Sequence, residues 1–255
     1  MALKIKNLVI GEGRPKICVP ITAKTEKELE QQLKNIKAVC FSGEEPCVDL
    51  LEWRMDFWEL LEKEESRSAA IKKIKESFPE LPLLCTFRSK EEGGEKEFTW
   101  EAYEALCRWV LEKEAVELLD VELFAKQEIA KRLLMEAAKK SQTKIILSNH
   151  DFEQTPSKEE IIERLRRMDA LGADILKIAV MPQNEKDVLT LLEATQEMKR
   201  HTAKPVVTMS MGKLGLISRL SGEVFGSAIT FGTAGRASAP GQIEAEKLLQ
   251  ILNLF

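Results

Sequence analysis

The sequence predicts a (β/α)8 barrel, a closed ring of parallel strands surrounded by helices. Strand-like apolar segments alternate with helical segments along the chain, in eight units of near 30 residues without a linker. Such an alternation favours parallel strands joined by right-handed crossovers. The length of 255 residues matches the roughly 250 that one such barrel needs. We therefore expect residues 1–255 to form a single domain. A doubly wound open sheet is the alternative, but no G-x-G-x-x-G motif follows the first strand.

A short segment precedes the first unit. Leu3–Ile10 is apolar and is followed by Gly-Glu-Gly at 11–13, which predicts a hairpin or plug before the barrel. In the first unit, Thr25 and Glu28 have the spacing of a helix capping box. The strands of the first four units are predicted at Lys16–Ile21, Val48–Arg54, Leu83–Arg88 and Ala115–Leu123. Their helices are predicted at 25–38, 66–77, 99–113 and 125–140.

The second half of the chain repeats this pattern. Ser157 and Glu160 again have capping-box spacing and predict a helix that ends at Gly172. The four strands are predicted at Lys144–Ser148, Ile175–Val180, Pro205–Ser210 and Ala228–Phe231. The remaining helices are predicted near 184–200, 214–223 and 242–252, the last after a loop rich in glycine, alanine, serine and proline.

Composition excludes several classes of function. A net charge of -4 argues against a nucleic-acid-binding face, which is usually strongly basic. The sequence has no apolar run of about 18 residues that could span a membrane, and its first residues lack the pattern of a signal peptide, so we expect a cytoplasmic protein. The five cysteines form no C-x-x-C pair, so neither a disulfide framework nor a zinc site is indicated.

Lys177 interrupts the apolar strand Ile175–Val180. A buried ammonium is costly unless it is paired or loses its proton. Lys177 is therefore either a neutral amine or half of an ion pair. Burial and nearby arginines would both favour the neutral, nucleophilic form.

Polar side chains are concentrated where the predicted strands end. In a barrel of this kind the active site lies at the C-terminal ends of the strands. The residues at these ends and in the segments that follow are Glu52, Arg54, Thr86, Arg88, Asp120, Glu122, Ser148, His150, Lys177, Met211, Arg219, Ser238 and Gln242. Each alone has a structural explanation, such as an internal ion pair. Together, a lysine, a histidine, several arginines and carboxylates suit an anionic, hydroxylated small substrate.

At this level the chain resembles the type I 3-dehydroquinate dehydratases, the Schiff-base dehydratases of the shikimate pathway. The motifs that carry the resemblance are Glu52-Trp-Arg54, Thr86-Phe-Arg88 with Glu92-Gly-Gly, Ser148-Asn-His150-Asp-Phe, Ile175-Leu-Lys177-Ile-Ala, Met209-Ser-Met-Gly-Lys, Ser218-Arg219-Leu and Ser238-Ala-Pro-Gly-Gln242. They occur in one order over nearly the whole chain. The resemblance implies a (β/α)8 barrel, a homodimer, and an enzyme without a metal or organic cofactor.

The resemblance also implies roles for the catalytic residues. Lys177 would condense with the C3 ketone of 3-dehydroquinate, and the protonated imine would act as an electron sink. His150 would move protons, because its ordinary pKa near 6.5 suits both directions at neutral pH. Glu92 would orient His150, and Asp120 and Glu122 could assist from the neighbouring strand.

Binding roles follow from charge. Arg219 would pair with the substrate carboxylate, with help from Ser238 and Gln242. Glu52, Arg54 and Arg88 would contact the ring hydroxyls, and Met211 would pack against the ring or belong to the core. The loop Ala234–Gln242 would close over the substrate as a lid.

Two other functions remain open from the residues alone. A class I aldolase acting on sugar phosphates would also use a buried lysine, with the Gly232–Gly235 turn as its phosphate site. A barrel that binds a metabolite without catalysis is the second alternative.

Overall fold

The protein, represented here by a computed structural model, forms a nearly closed barrel of eight parallel strands with an N-terminal hairpin. Residues 2–40, 45–113, 116–123, 127–140, 142–235 and 238–255 are described. The strands are β1 (Leu3–Ile5), β2 (Leu8–Ile10), β3 (Lys16–Ile21), β4 (Leu50–Arg54), β5 (Leu83–Thr86), β6 (Leu118–Glu122), β7 (Lys144–Asp151), β8 (Ile175–Val180), β9 (Val206–Ser210) and β10 (Ile229–Phe231). The barrel order is β10-β3-β4-β5-β6-β7-β8-β9. The predicted fold class is confirmed.

The seam between β9 and β10 is completed in part by a side chain. The amide of Ala228 donates to the carbonyl of Val206 at 2.8 Å. Ser227 Oγ accepts from the amide of Thr208 at 3.0 Å and donates to its carbonyl at 3.1 Å. The Ser227 side chain therefore replaces a backbone hydrogen bond between these two strands.

Helices pack around the outside of the strands. They are α1 (Glu26–Cys40), α2 (Glu64–Ser77), α3 (Trp100–Lys113), α4 (Gln127–Lys140), α5 (Lys158–Ala170), α6 (Glu185–Met198), α7 (Leu216–Leu220), α8 (Gly222–Phe225) and α9 (Ala245–Leu252). Within the described residues, no helix is both long and apolar enough to cross a membrane.

The predicted elements are present, and several of their bounds are shifted, such as the start of α9, which is Ala245 and not 242. The predicted N-terminal hairpin is confirmed, and it turns at Lys6, which has a φ of 50°. Strand β7 continues beyond Ser148, because 149–151 pair with β8. The predicted helix 214–223 is divided at Ser221 into α7 and α8. At Gly222, the first residue of α8, a Cβ would lie 2.6 Å from Pro15 Cγ and 2.7 Å from the carbonyl oxygen of Ser227. The predicted starts at Ala115 and Ala125 fall outside the described residues.

The barrel interior has an apolar floor. One inward residue from each strand is buried there, in the order Cys18, Leu50, Leu84, Leu118, Ile146, Ile175, Val207 and Ile229. Ile5 and Ile10 of the hairpin belong to the same cluster. The hairpin thus covers the N-terminal end of the barrel, which leaves the C-terminal end for a site. A second, larger cluster lies between the strands and the helices.

Candidate active site

The polar residues converge because side chains alternate along a strand. Residues two apart point to the same face. Asp120 follows Leu118 by two residues, and Lys177 follows Ile175 by two. The layer above the apolar floor therefore contains the polar residues Glu52, Thr86, Asp120, Ser148 and Lys177, all buried.

One cavity of about 170 Å³ lies at this end of the barrel. Asp120 and Glu122, which were expected to assist, lie outside its lining, whereas the nine residues expected to catalyse the reaction or to bind the substrate all line it. These nine residues are Glu52, Arg54, Arg88, Glu92, His150, Lys177, Arg219, Ser238 and Gln242. Met209, Met211, Phe152 and Phe231 add apolar walls. The cavity is therefore lined by both titratable and apolar side chains.

Lys177 forms an ion pair in this structure. Its Nζ lies 2.9 Å from Asp120 Oδ2 and 4.9 Å from the centre of the Phe231 ring, and only 3% of the residue is exposed. Of the two states that the sequence left open, the geometry is that of the ion pair. The amine must therefore lose a proton before it can act as a nucleophile.

Asp120 is the centre of a buried polar network. Its Oδ1 accepts from Arg88 Nη2 at 2.8 Å and from Ser148 Oγ at 2.6 Å, while Oδ2 faces Lys177. Burial alone would raise the pKa of Asp120, but Arg88 and Lys177 outweigh it and hold the pKa well below its ordinary value. Asp120 is therefore a carboxylate at neutral pH.

His150 and Glu92 form a hydrogen-bonded pair at the rim. Glu92 Oε2 lies 2.9 Å from His150 Nδ1 and accepts from the His150 amide at 3.0 Å. Asn149 Nδ2 donates to Oε1 at 3.3 Å. With Nδ1–H assigned as the donor to Glu92, Nε2 is left free for the cavity.

The two members of this pair have opposite pKa shifts. Burial lowers the pKa of His150 well below its ordinary value, and the charges of Arg88 and Lys177 add to this effect. Burial and the carboxylate of Glu122 raise the pKa of Glu92, against the opposing charge of Arg88. The imidazole is consequently neutral and able to accept a proton at physiological pH.

Arg54 and Glu52 lie at the end of β4, with their polar groups partly engaged. Arg54 Nε and Nη2 donate to Asp56 at 2.8 and 2.7 Å, which fixes the plane of the guanidinium. Glu52 Oε1 accepts from Thr86 Oγ1 at 2.8 Å. Both side chains therefore face the cavity in defined orientations.

Arg219 is a buried cation that lacks an acidic partner among the described residues. Its Nη2 donates to the carbonyl of Pro240 at 3.0 Å, and Nε has no hydrogen-bond partner there. Burial lowers its pKa to about 10, which still leaves it charged at neutral pH. A charged guanidinium in this state is suited to an anionic ligand.

Ser238 and Gln242 belong to the loop after β10. The Ser238 amide donates to Gln242 Oε1 at 2.9 Å, and Gln242 Nε2 donates to Ser238 Oγ at 3.0 Å. The predicted lid Ala234–Gln242 includes 236–237, which lie outside the described residues.

The comparisons with known proteins agree with this geometry. A family model described as type I 3-dehydroquinase matches residues 17–255. The chain belongs to the type I 3-dehydroquinase family. A protein named 3-dehydroquinate dehydratase from Clostridioides difficile is 49% identical over 254 residues, which cover 99% of this chain and 96% of the relative. One of that name from Listeria innocua is 47% identical, with coverage of 98% and 96%.

Solved structures of this family have the same fold. The type I 3-dehydroquinate dehydratase of Clostridium difficile, described as containing covalent modified comenic acid, has a TM-score of 0.92 at 49% identity, and the match covers 100% of this chain and 97% of that one. The enzyme of Geobacillus kaustophilus has a TM-score of 0.91 at 34% identity, with coverage of 100% and 96%. The prediction of a dehydratase of the shikimate pathway is confirmed, and membership of the 3-dehydroquinase family decides against an aldolase or a non-catalytic barrel.

The sequence did not point to Asp56, a buried carboxylate that fixes Arg54 beside the cavity of this 3-dehydroquinase. Asp56 is fully buried and binds the Arg54 guanidinium through both oxygens. Its oxygens also accept from the amides of Arg88 at 3.4 Å and Glu95 at 3.2 Å, next to the loop that carries Glu92. The nearness of Asp56 to Arg54 in the sequence could have indicated this pair, because arginine and carboxylate side chains form bidentate ion pairs.

Proposed function

We propose that this cavity converts 3-dehydroquinate to 3-dehydroshikimate and water through a Schiff base on Lys177. The observation that carries the proposal is a buried lysine amine in the same cavity as a neutral, oriented imidazole. The covalently modified ligand described for the relative from Clostridium difficile is consistent with covalent chemistry in this family. An ultraviolet assay for the conjugated enone, without added cofactor, tests the activity directly.

Imine formation requires one ketone and one amine. The Lys177 ammonium first gives one proton to neutral His150, after which Nζ attacks C3 of the substrate. The carbonyl oxygen then leaves as water and takes up the proton that His150 returns. Starting from the ammonium, two of its three protons leave with that oxygen and one remains on the iminium nitrogen, so charge is conserved. The positive nitrogen then withdraws electrons from C2 and acidifies its hydrogens.

His150 moves the protons of the elimination. Neutral Nε2 takes the proton from C2, the C–H electrons form the enamine, and the nitrogen becomes neutral. The imidazolium then gives its proton to the C1 hydroxyl, which leaves as water while the conjugated iminium forms. His150 then assists the addition of water to C3, which releases the product and restores Lys177. Glu92 stabilises the imidazolium and holds Nδ1, as the base-plus-orienter arrangement requires.

The charge and the unused N–H groups of each side chain indicate which part of the substrate it binds. Arg219 takes the substrate carboxylate, with Ser238 and Gln242 closing around it. Arg54 keeps Nη1 for a ring hydroxyl, because Asp56 uses the other two nitrogens. Glu52 accepts from hydroxyls, and Arg88 contributes its charge from the cavity wall. The homodimer, the single domain over 1–255 and the cytoplasmic location stay predictions.

Replacing Arg219 with methionine tests the carboxylate site. A hydrogen bond to a charged group is worth roughly 1.5–3 kcal/mol. We therefore expect KM to rise by about 10- to 150-fold in steady-state assays, with a smaller effect on kcat. Arg14→Met is the matched control, since Arg14 binds Asp49 at the opposite end of the barrel, with distances of 2.7 and 3.2 Å. Equal KM values for Arg219→Met and the wild type would contradict the assignment.

Replacing Glu92 with glutamine tests its role in orienting His150. The amide oxygen can still accept from Nδ1–H, but glutamine cannot become the carboxylate that pairs with the imidazolium when it forms. We expect kcat to fall by roughly 10- to 100-fold, as when a charged hydrogen bond becomes neutral. Burial raises the pKa of Glu92 to about 8 and lowers the pKa of His150, so the wild-type pair takes up a proton at a higher pH than His150 beside a glutamine would, and the acidic limb of the kcat/KM profile should move to lower pH. Glu91→Gln, an exposed neighbour on the same loop, should change neither quantity, and an unshifted profile in Glu92→Gln would contradict the role.

A further inference from the structure

Asp120 lies behind Lys177 and outside the cavity lining. It is fully buried, and its Oδ2 is 2.9 Å from Lys177 Nζ. The other oxygen is held by Arg88 and Ser148, at 2.8 and 2.6 Å. The carboxylate is thus fixed in place by groups other than the lysine.

We infer that Asp120 is the counter-ion of the iminium nitrogen, a further catalytic residue that keeps the Schiff base protonated during the elimination. This inference rests on the proposed Schiff base at Lys177. The nitrogen that becomes the iminium is the atom that Asp120 already contacts in the free enzyme. An opposite charge at this distance stabilises the protonated form of its partner.

The charge on the Lys177 nitrogen supports this role of Asp120. Ammonium, first iminium and conjugated iminium all carry one positive charge on the same nitrogen, so the ion pair with Asp120 is conserved through these stages. Only the amine that attacks and the enamine are neutral. At the enamine stage the charge has moved to His150, and Arg88 continues to compensate Asp120 through Oδ1. Asp120 therefore keeps its hydrogen bonds to Arg88 and Ser148 when the nitrogen of Lys177 is neutral.

Other charged groups around Lys177 do not replace Asp120. Arg88 is positive and disfavours an iminium. Glu52 lines the same cavity, but its Oε1 accepts from Thr86 Oγ1. Glu92 faces His150, and Glu122 Oε1 accepts from Arg88 Nη1 at 2.8 Å. Among the described residues, Asp120 is the carboxylate with an oxygen within hydrogen-bond distance of Lys177 Nζ.

The test uses two hydride donors on the enzyme mixed with 3-dehydroquinate. Borohydride reduces the imine in either protonation state, whereas cyanoborohydride reduces only the protonated imine. The ratio of the two adducts, followed against pH by intact-mass spectrometry, gives the midpoint at which the imine loses its proton. We expect Asp120→Asn to lower this midpoint by roughly 1–3 pH units. The total borohydride adduct should persist and kcat should fall.

Controls separate this role from a structural one. Asp49→Asn removes a carboxylate that binds Arg14 and the Ile17 amide at the other end of the barrel, and its midpoint should equal that of the wild type. If Asp120→Asn does not fold, the wild-type midpoint is compared with that of the imine of butylamine and the same ketone, and it should be higher by at least one unit. Coincident midpoints in either comparison would overturn the inference. Absence of any adduct in the wild type would instead overturn the Schiff base itself.

Discussion

Lys177→Met is expected to lower kcat by on the order of 10⁶-fold, the size of effect seen when a covalent nucleophile is lost. Methionine is close in length and lacks an amine, so the imine cannot form. Initial rates from the enone assay, measured at high enzyme concentration, give the residual activity. A loss of less than about 100-fold would show that another group attacks the ketone.

The fold should survive this substitution. Breaking a buried ion pair can cost about 3–5 kcal/mol when one charge is left alone. Here Asp120 keeps Arg88 and Ser148, so the expected loss in the free energy of unfolding is smaller. Lys204→Met is a matched control, because Lys204 Nζ lies 2.9 Å from Asp169 Oδ1 in an ion pair outside the cavity. It should retain full activity, at a smaller cost in stability because this pair is partly exposed to solvent.

His150→Gln is expected to lower kcat by roughly 10²- to 10⁴-fold, the usual contribution of a general acid–base group. The same residue serves both the elimination and the release of the imine, so the covalent intermediate should persist. Borohydride added at increasing times after mixing should trap adduct for far longer than in the wild type.

The second histidine of the chain offers the matched control for this experiment. His201 is exposed and lies 3.8 Å from Glu197, away from the cavity. His201→Gln should have wild-type kinetics. If His150→Gln released product at the wild-type rate, a different acid–base group would have to act in the cavity.

Much of the site could be predicted from strand periodicity. Polar residues two positions after buried apolar ones must share the inner face of a barrel, and this rule brings Glu52 and Lys177 into one cavity. The tertiary partners of these residues could not be predicted in the same way. Asp120 and Lys177 are on strands separated by β7, and their contact depends on strand tilt and stagger, which the sequence does not encode locally.

The differences in element boundaries also have tertiary causes. The polar residues of 149–151 suggest a loop, but pairing with β8 keeps them extended and places His150 on a rigid strand. The division between α7 and α8 falls next to Gly222, where Pro15, from a distant part of the chain, leaves no room for a Cβ. Local propensity cannot anticipate either packing event.

The most direct test of the account is to identify the residue that carries the reduced adduct. The enzyme is mixed with 3-dehydroquinate, treated with borohydride, digested, and its peptides are sequenced by mass spectrometry. We expect one modified lysine, Lys177, and no modification in Lys177→Met. An adduct on a different lysine, or continued enone formation in an enzyme that cannot be trapped, would contradict it.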